Sequence, residues 1–417
     1  MITVDTKEEN KECLQEYASL MVDAGSTLSK IQAGEKEYSD SLGWFDTKEW
    51  TDDAHLSHIE EIASKVRQSC DAFVLIGVGG SNNAARSVIE ALPQKDAPKI
   101  IYAGNTLSPN AMHAMLEQLE GKDFAIDCIA KNFETLEPGA SFRVLRKVLK
   151  ERYGDKAKDR IIATGTPGSS LEKLCTEQGY TFLAFPEDVG GRYTAMTNVG
   201  LLPMAVAGID IRSLVKGAAD MQKLLQSTAG ADNPAYRYAC MRNIYYRHGY
   251  RVELLSSFEP QLRYFYKWWT QLFAESEGKN DRGLFPACCE FSEDLHSMGQ
   301  FIQDGTPVMF ETFLTVKDGQ EHLVLEPDGV DDGFAYLDGK DFKDINEIDY
   351  EATIGAHSRK IPCMHIEIDA LDAYHFGQLF YFYQYACYIS AKILGVNPFD
   401  QPGVEDYKQR LFNALGK

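Results

Sequence analysis

AFVLIGVGGSNNAARSVIEAL, residues 72–92, is the stretch whose reading decides the fold. It opens with an uncharged apolar run of strand length, breaks at Gly79-Gly80-Ser81, and resumes with apolar residues at helical spacing. Strand, small-residue turn and helix in that order begin an α/β unit. Small side chains let a backbone approach a ligand, and a helix start offers free N–H groups and a positive dipole end. Gly79, Gly80 and Ser81 are therefore candidate ligand contacts, for a phosphate or a sugar hydroxyl. A purely structural tight turn is the bland alternative. A dinucleotide fingerprint fits less well: Gly77-Val78-Gly79 opens one, but Asn82 stands at the third glycine position. The next run also ends in Gly104-Asn105, without an acid to hold a ribose.

Working outward, similar runs recur at KIIYAG (99–104), FAIDCIA (124–130), RIIATG (160–165) and TFLAF (181–185), separated by helical patterns. Runs rich in Ile, Val and Phe suit strands buried on both faces of a parallel sheet. After a helical stretch near 212–246 a second set follows: RVELLSSF (251–258), TPVMFETFLTV (306–316) and IPCMHIEI (361–368), with a long apolar helix at 376–394. The fold expected is α/β, two doubly wound parallel-sheet domains with helical additions at both ends. The divisions expected are 1–68, 69–212, 213–395 and 396–417. Residues 1–68 read as helices without strong strand signals, with Trp44-Phe45 and Trp50 plugging them onto the main body. The acidic, glycine-rich 328–341 reads as a surface loop or hairpin.

A formal charge of −20 disfavours nucleic acid, which is bound through an excess of Lys and Arg. No uncharged apolar stretch is long enough for a membrane helix, and the charged N-terminus lacks the apolar core of a signal peptide. Nine cysteines without a CxxC pair read as reduced thiols in the cytoplasm. No metal is expected, because no HxH or HxxxH pairing exists; His357 and His365 read as structural.

Five stretches carry a resemblance: VLIGVGGS (74–81), DVGGRYTAMTNVGLLPMAVAGIDI (188–211), EPQLRYFYKWWTQLFAESEGK (259–279), FSEDLHSMGQFIQDG (291–305) and NPFDQPGVEDYKQRLFNALGK (397–417). From about residue 40 to its end the chain resembles the glucose-6-phosphate isomerase family, the short bacterial type with two SIS sugar-isomerase domains of flavodoxin-like order. The resemblance implies an aldose–ketose isomerase that exchanges glucose 6-phosphate and fructose 6-phosphate through a cis-enediol, without a cofactor. Such chemistry needs a base between C1 and C2, help with ring opening, and positive charge near the enediolate.

On the matching motifs, Glu275 is the expected proton shuttle, with Glu277 its rival two residues on. Trp268, Trp269 and Phe273 are expected to wall its carboxylate. His296 would assist ring opening from across a homodimer interface, and Lys408 would handle the ring oxygen or the C1 hydroxyl. Arg192, beside Gly191, would stabilise the enediolate, or else bridge the domains structurally. Gln401 is expected on sugar hydroxyls or phosphate, as are Lys131, Asn132 and Thr135 in the second phosphate loop.

That loop departs from the family. It reads AKNFETLEP (130–138), where hydroxyl-rich forms such as SKSGTTTEP are usual, so Ala130, Asn132, Glu134 and Leu136 differ. A charge-assisted hydrogen bond to phosphate contributes about 1.5–3 kcal/mol, so losing two, with no neighbouring group to compensate, weakens binding about a hundredfold or more. This keeps two alternatives open: the same mechanism on a different or unphosphorylated sugar, and a non-catalytic sugar-phosphate sensor. The helix start NNAAR (82–86) also stands where the family usually has an aromatic or leucine and glycine.

Overall fold

The computed structural model describes residues 2–6, 11–318 and 321–416. Its strands are β1 (Thr3–Thr6), β2 (Ala72–Ile76), β3 (Lys99–Ala103), β4 (Phe124–Ala130), β5 (Ile161–Gly165), β6 (Thr181–Ala184), β7 (Val252–Ser257), β8 (Phe285–Glu290), β9 (Met309–Asp318) and β10 (Cys363–Ala370).

The first sheet runs β3-β2-β4-β5-β6, parallel throughout. Every residue of β2 and β4 is buried, which explains their lack of polar alternation. Strand order reverses between β2 and β4, so a crevice opens beyond their C-terminal ends, where doubly wound sheets receive ligands. The turn at 77–81 and the loop at 131–135 lie there.

The second sheet repeats that order as β8-β7-β9-β10, all parallel, and then adds β1 antiparallel to the outer edge of β10. Two strands escape the sequence reading. β1 corrects the expectation of helices alone in 1–68: TVDT is short and half polar, with Val4 buried and Thr3 and Asp5 exposed. Pairing with β10 makes it a strand and covers an otherwise open edge. β8 reads FPACCE; a proline in an apolar run argues against a central strand, and β8 indeed lies at an edge.

Between the sheets the helix Ala373–Leu394 is buried along most of its length and crosses the helix Ile211–Ser227. A Cβ on Gly217 would fall 1.9 Å from the Tyr374 carbonyl oxygen, and one on Gly377 1.9 Å from that of Leu214. Paired glycines thus let the two backbones touch. The N-terminal segment plugs in as expected: Trp44 stacks on Tyr193 at 4.9 Å, and the Tyr381 hydroxyl donates to the Phe45 carbonyl at 2.7 Å. Among the described residues no helix is long and apolar enough to cross a membrane. The 328–341 stretch is almost entirely exposed, with an isolated bridge joining Val324 to Asp341.

Candidate functional site

Gly79 ends the turn after β2 with φ +56°, a conformation that disfavours side chains. The helix Gly80–Ala91 follows. A Cβ on Gly80 would sit 1.9 Å from the Gly191 carbonyl oxygen, and the Thr194 hydroxyl lies 3.1 Å from the Gly80 carbonyl and 2.8 Å from that of Gly191. The missing side chain of Gly80 thus makes room for the protein's own 191–192 backbone. Gly191 is different, since a Cβ there would meet nothing nearer than the Gly80 Cα at 4.0 Å. Ser81 is half-buried, with its N–H turned to the Val78 carbonyl.

The turn Gly191–Tyr193 delivers Arg192 into the interior, where it is 1% exposed. Its Nε donates to Ser276 Oγ at 2.8 Å, Nη2 to the buried Pro398 carbonyl, and Nη1 to Glu275 Oε2 at 3.3 Å. Behind it, Trp268 Nε1 donates to the Arg192 carbonyl at 3.1 Å. Glu275 lies near the end of the helix Arg263–Glu277, its side chain 30% exposed. Its other partners are Gln271, donating to Oε1 at 3.0 Å, and Gln401, donating to Oε2. The aromatic wall expected around this carboxylate is not what meets it. Trp268, Trp269 and Phe273 pack into the core, and the oxygens contact a guanidinium and two amides.

Glu277 occupies a separate environment. It is buried and paired with Arg242 at 2.6 Å, and Arg242 also pairs with Glu253 of β7. Two carboxylates two residues apart therefore have distinct roles: Glu277 is tied inside the core, and Glu275 faces the opening.

The second loop places its residues less simply. Lys131 donates to the Glu187 and Val189 carbonyls at 2.8 and 2.9 Å, tying the loop to the segment that leads into Arg192. Desolvation lowers its pKa, opposed by Asp188 and Glu187. Asn132 accepts from the Glu134 N–H at 2.9 Å, and the Thr135 hydroxyl donates to the Asn132 carbonyl at 3.0 Å. Thr135 precedes the helix Leu136–Tyr153, so two helix N-termini face the crevice between β2 and β4.

Gln401 comes from the stretch after the long buried helix, and two cations pin that stretch. Arg192 holds the Pro398 carbonyl, while Lys279 contacts the Asn397 carbonyl and pairs with Asp400 at 2.9 Å. Lys408 lies on the C-terminal helix Glu405–Ala414 and pairs with Glu405 at 3.1 Å. That helix runs beside the second loop: Phe412 and Leu415 line one groove of about 770 Å³ with Phe133, Thr135 and Leu136. An apolar Leu136 is thus useful where a hydroxyl was expected. His296 ends the short turn Glu293–His296, exposed, and makes no hydrogen bond or ion pair among the described residues.

Arg192, Glu275 and Gln401 are accordingly in direct contact, close to the glycine turn; His296 and Lys408 are not bonded to them in the single chain. Sequence reasoning missed Gln271, Asn83 and Lys279. Gln271 stands four residues before Glu275, a spacing that puts both on one helix face and was legible. The Asn83 and Lys279 contacts depend on distant segments meeting. No cluster of metal-ligating side chains occurs among the described residues.

Comparison with known proteins matches residues 57–414 to the phosphoglucose isomerase family. A glucose-6-phosphate isomerase of Exiguobacterium sibiricum is 42% identical, aligned over 97% of this chain and 93% of its own. One from Clostridioides difficile is 43% identical over 90% and 87%. In three dimensions the chain is similar to a hypothetical protein of Thermus thermophilus, with TM-score 0.91, 24% identity and full coverage of both chains. It also matches a glucose-6-phosphate isomerase of Chlamydia trachomatis, with TM-score 0.82, 18% identity, and coverage of 100% of this chain and 88% of that one. With a carboxylate, a guanidinium and two amides gathered at the switch point of a doubled α/β fold, and with relatives matching nearly end to end, this chain belongs to the phosphoglucose isomerase family.

Proposed function

We propose that the protein interconverts glucose 6-phosphate and fructose 6-phosphate, with Glu275 carrying the proton between C2 and C1. The observation that supports this most is the partly open Glu275 carboxylate held by Arg192, Gln271 and Gln401. Three donors fix the carboxylate without covering it. Arg192 has N–H groups to spare after its three bonds, so its charge is available to an enediolate formed beside Glu275.

The phosphate is taken by the hydroxyl of Ser81, and by that of Thr135 once it turns from the Asn132 carbonyl, together with the two helix starts at Gly80 and Leu136. Asn132 adds an amide, and Lys131 acts at one remove by holding the 187–189 carbonyls. Gly191 leaves open backbone beside the sugar, and Gly79 lines the same turn while its missing side chain makes room for Gln271. Lys408 reaches the ring end of the substrate from the C-terminal helix. His296 serves the site of a second copy: it stands exposed with Met298 and Phe301, an apolar face that a homodimer would cover. The eight cysteines described carry free thiols, as suits the cytoplasm.

Incubating the purified protein with fructose 6-phosphate and measuring glucose 6-phosphate tests the reading; no conversion at millimolar substrate rejects it. The unphosphorylated-sugar and sensor alternatives are not favoured, because relatives that align over nearly the whole chain carry the isomerase name.

A further inference from the structure

The helix that starts at Gly80 carries Asn83 half-buried toward the helix that bears Glu275. Asn83 Nδ2 donates to Gln271 Oε1 at 2.9 Å, and Gln271 Nε2 donates to Glu275 Oε1 at 3.0 Å. A primary amide presents an acceptor at one end and donors at the other. Turned over, Gln271 would face its carbonyl oxygen to the carboxylate and its NH2 to the NH2 of Asn83, losing both bonds. With Asn83 donating, only one orientation satisfies all three groups: the carboxylate, an acceptor alone, selects it, and Asn83 reinforces it from the far end. The glycine turn makes room for this: a Cβ on Gly79 would meet Gln271 Nε2 at 2.8 Å.

We propose that Asn83 is a positioning residue for proton transfer: it locks the Gln271 amide so that Gln271 always donates to the Glu275 carboxylate. The inference rests on the proton-shuttle role given to Glu275 above. It also gives the unusual NNAAR helix start a purpose. Asn83 does not touch substrate; its effect passes through Gln271, which holds one oxygen of Glu275 while Arg192 and Gln401 hold the other.

The test is a double-mutant cycle. Asn83→Leu keeps the volume and removes the donor, and kcat falls about tenfold, the worth of one buried hydrogen bond, with KM inside about twofold. Gln271→Leu lowers kcat further, and adding Asn83→Leu to it changes nothing more, because the residue through which Asn83 acts is gone. Additive losses, or an Asn83→Leu enzyme with the parent kcat, overturn the proposal.

A readout without turnover keeps it separable from the isomerase assignment. In protein labelled with 15N-glutamine, the Gln271 side-chain NH2 resonance, identified by its absence from Gln271→Leu, exchanges with water faster in Asn83→Leu. Unchanged exchange refutes the lock even if the parent is inactive on hexose phosphates, and parental inactivity alone refutes only the assignment. If Asn83→Leu misfolds, Asn83→Asp decides. It offers acceptors where a donor stood, turns Gln271 over, and lowers kcat in the parent but not in Gln271→Leu.

Discussion

Replacing Arg192 by lysine keeps a positive charge and removes the fork. The guanidinium serves three acceptors in different directions: Ser276 Oγ, the Pro398 carbonyl and Glu275 Oε2. A single ammonium at the end of a flexible stem reaches one of them. Ser276 keeps the Tyr193 hydroxyl at 3.2 Å, so its loss is small. The Pro398 carbonyl is buried and is left without that donor, a cost of about 1–3 kcal/mol. Stability should fall by about 2 kcal/mol, or roughly 2–5 °C in thermal midpoint for a chain of this size. Turnover should fall much further. Removing one preorganised donor from a developing oxyanion costs about a hundred- to a thousandfold in kcat, and freeing the 397–401 stretch loosens Gln401 as well. Coupled assays of kcat and KM, beside thermal melts, measure both quantities. Arg192→Lys within about threefold of the parent kcat, with an unchanged melting point, would refute the role given to the fork.

Two other substitutions separate structure from chemistry. Gly80→Ala drives a Cβ to 1.9 Å from the Gly191 carbonyl, whereas Gly191→Ala meets nothing nearer than 4.0 Å. Thermal melts should therefore show a marked loss for the first and little for the second, and equal melting points would show that the two turns are not packed as described. Asp127, fully buried in β4 with the Thr164 hydroxyl at 3.2 and 3.3 Å from its oxygens, has its carboxyl pushed up to about 7 by burial. Because the folded chain keeps a proton that the unfolded chain has released, the cost of this residue grows from about pH 4 to pH 7 and is constant above. Asp127→Asn removes a pH-dependent penalty on the order of 4 kcal/mol, so its advantage over the parent should be larger at pH 8 than at pH 5, and a pH-independent difference in melting point would count against the buried acid.

The first sheet was legible because its central strands are buried on both faces, which leaves uninterrupted apolar runs such as AFVLI and FAIDCIA. β1 was not, because an edge strand of TVDT has too little apolar content to announce itself and takes its conformation from β10. At the site, motif position picked Glu275 over Glu277, and the physical difference between them emerges only in three dimensions. Arg242, thirty-five residues before Glu277, neutralises it in the core. Lys131 illustrates the opposite failure. A lysine in a phosphate loop invites a direct contact, yet its ammonium is taken up by two carbonyls from a segment more than fifty residues away. Gly80 is ambiguous for the same reason, since a glycine admits a ligand or a backbone equally well from sequence alone, and here its side-chain space is taken by the 191–192 backbone.

Hydrogen exchange at C2 of the substrate isolates the step on which all of this depends. In deuterated water the parent should place deuterium on C2 of glucose 6-phosphate, and Glu275→Gln should do so at least about a thousandfold more slowly while still melting near the parent temperature. Glu277→Gln, which disturbs the buried pair with Arg242, should melt lower and still exchange. Parent-like deuterium incorporation by Glu275→Gln would contradict the assignment of Glu275 as the group that carries the proton.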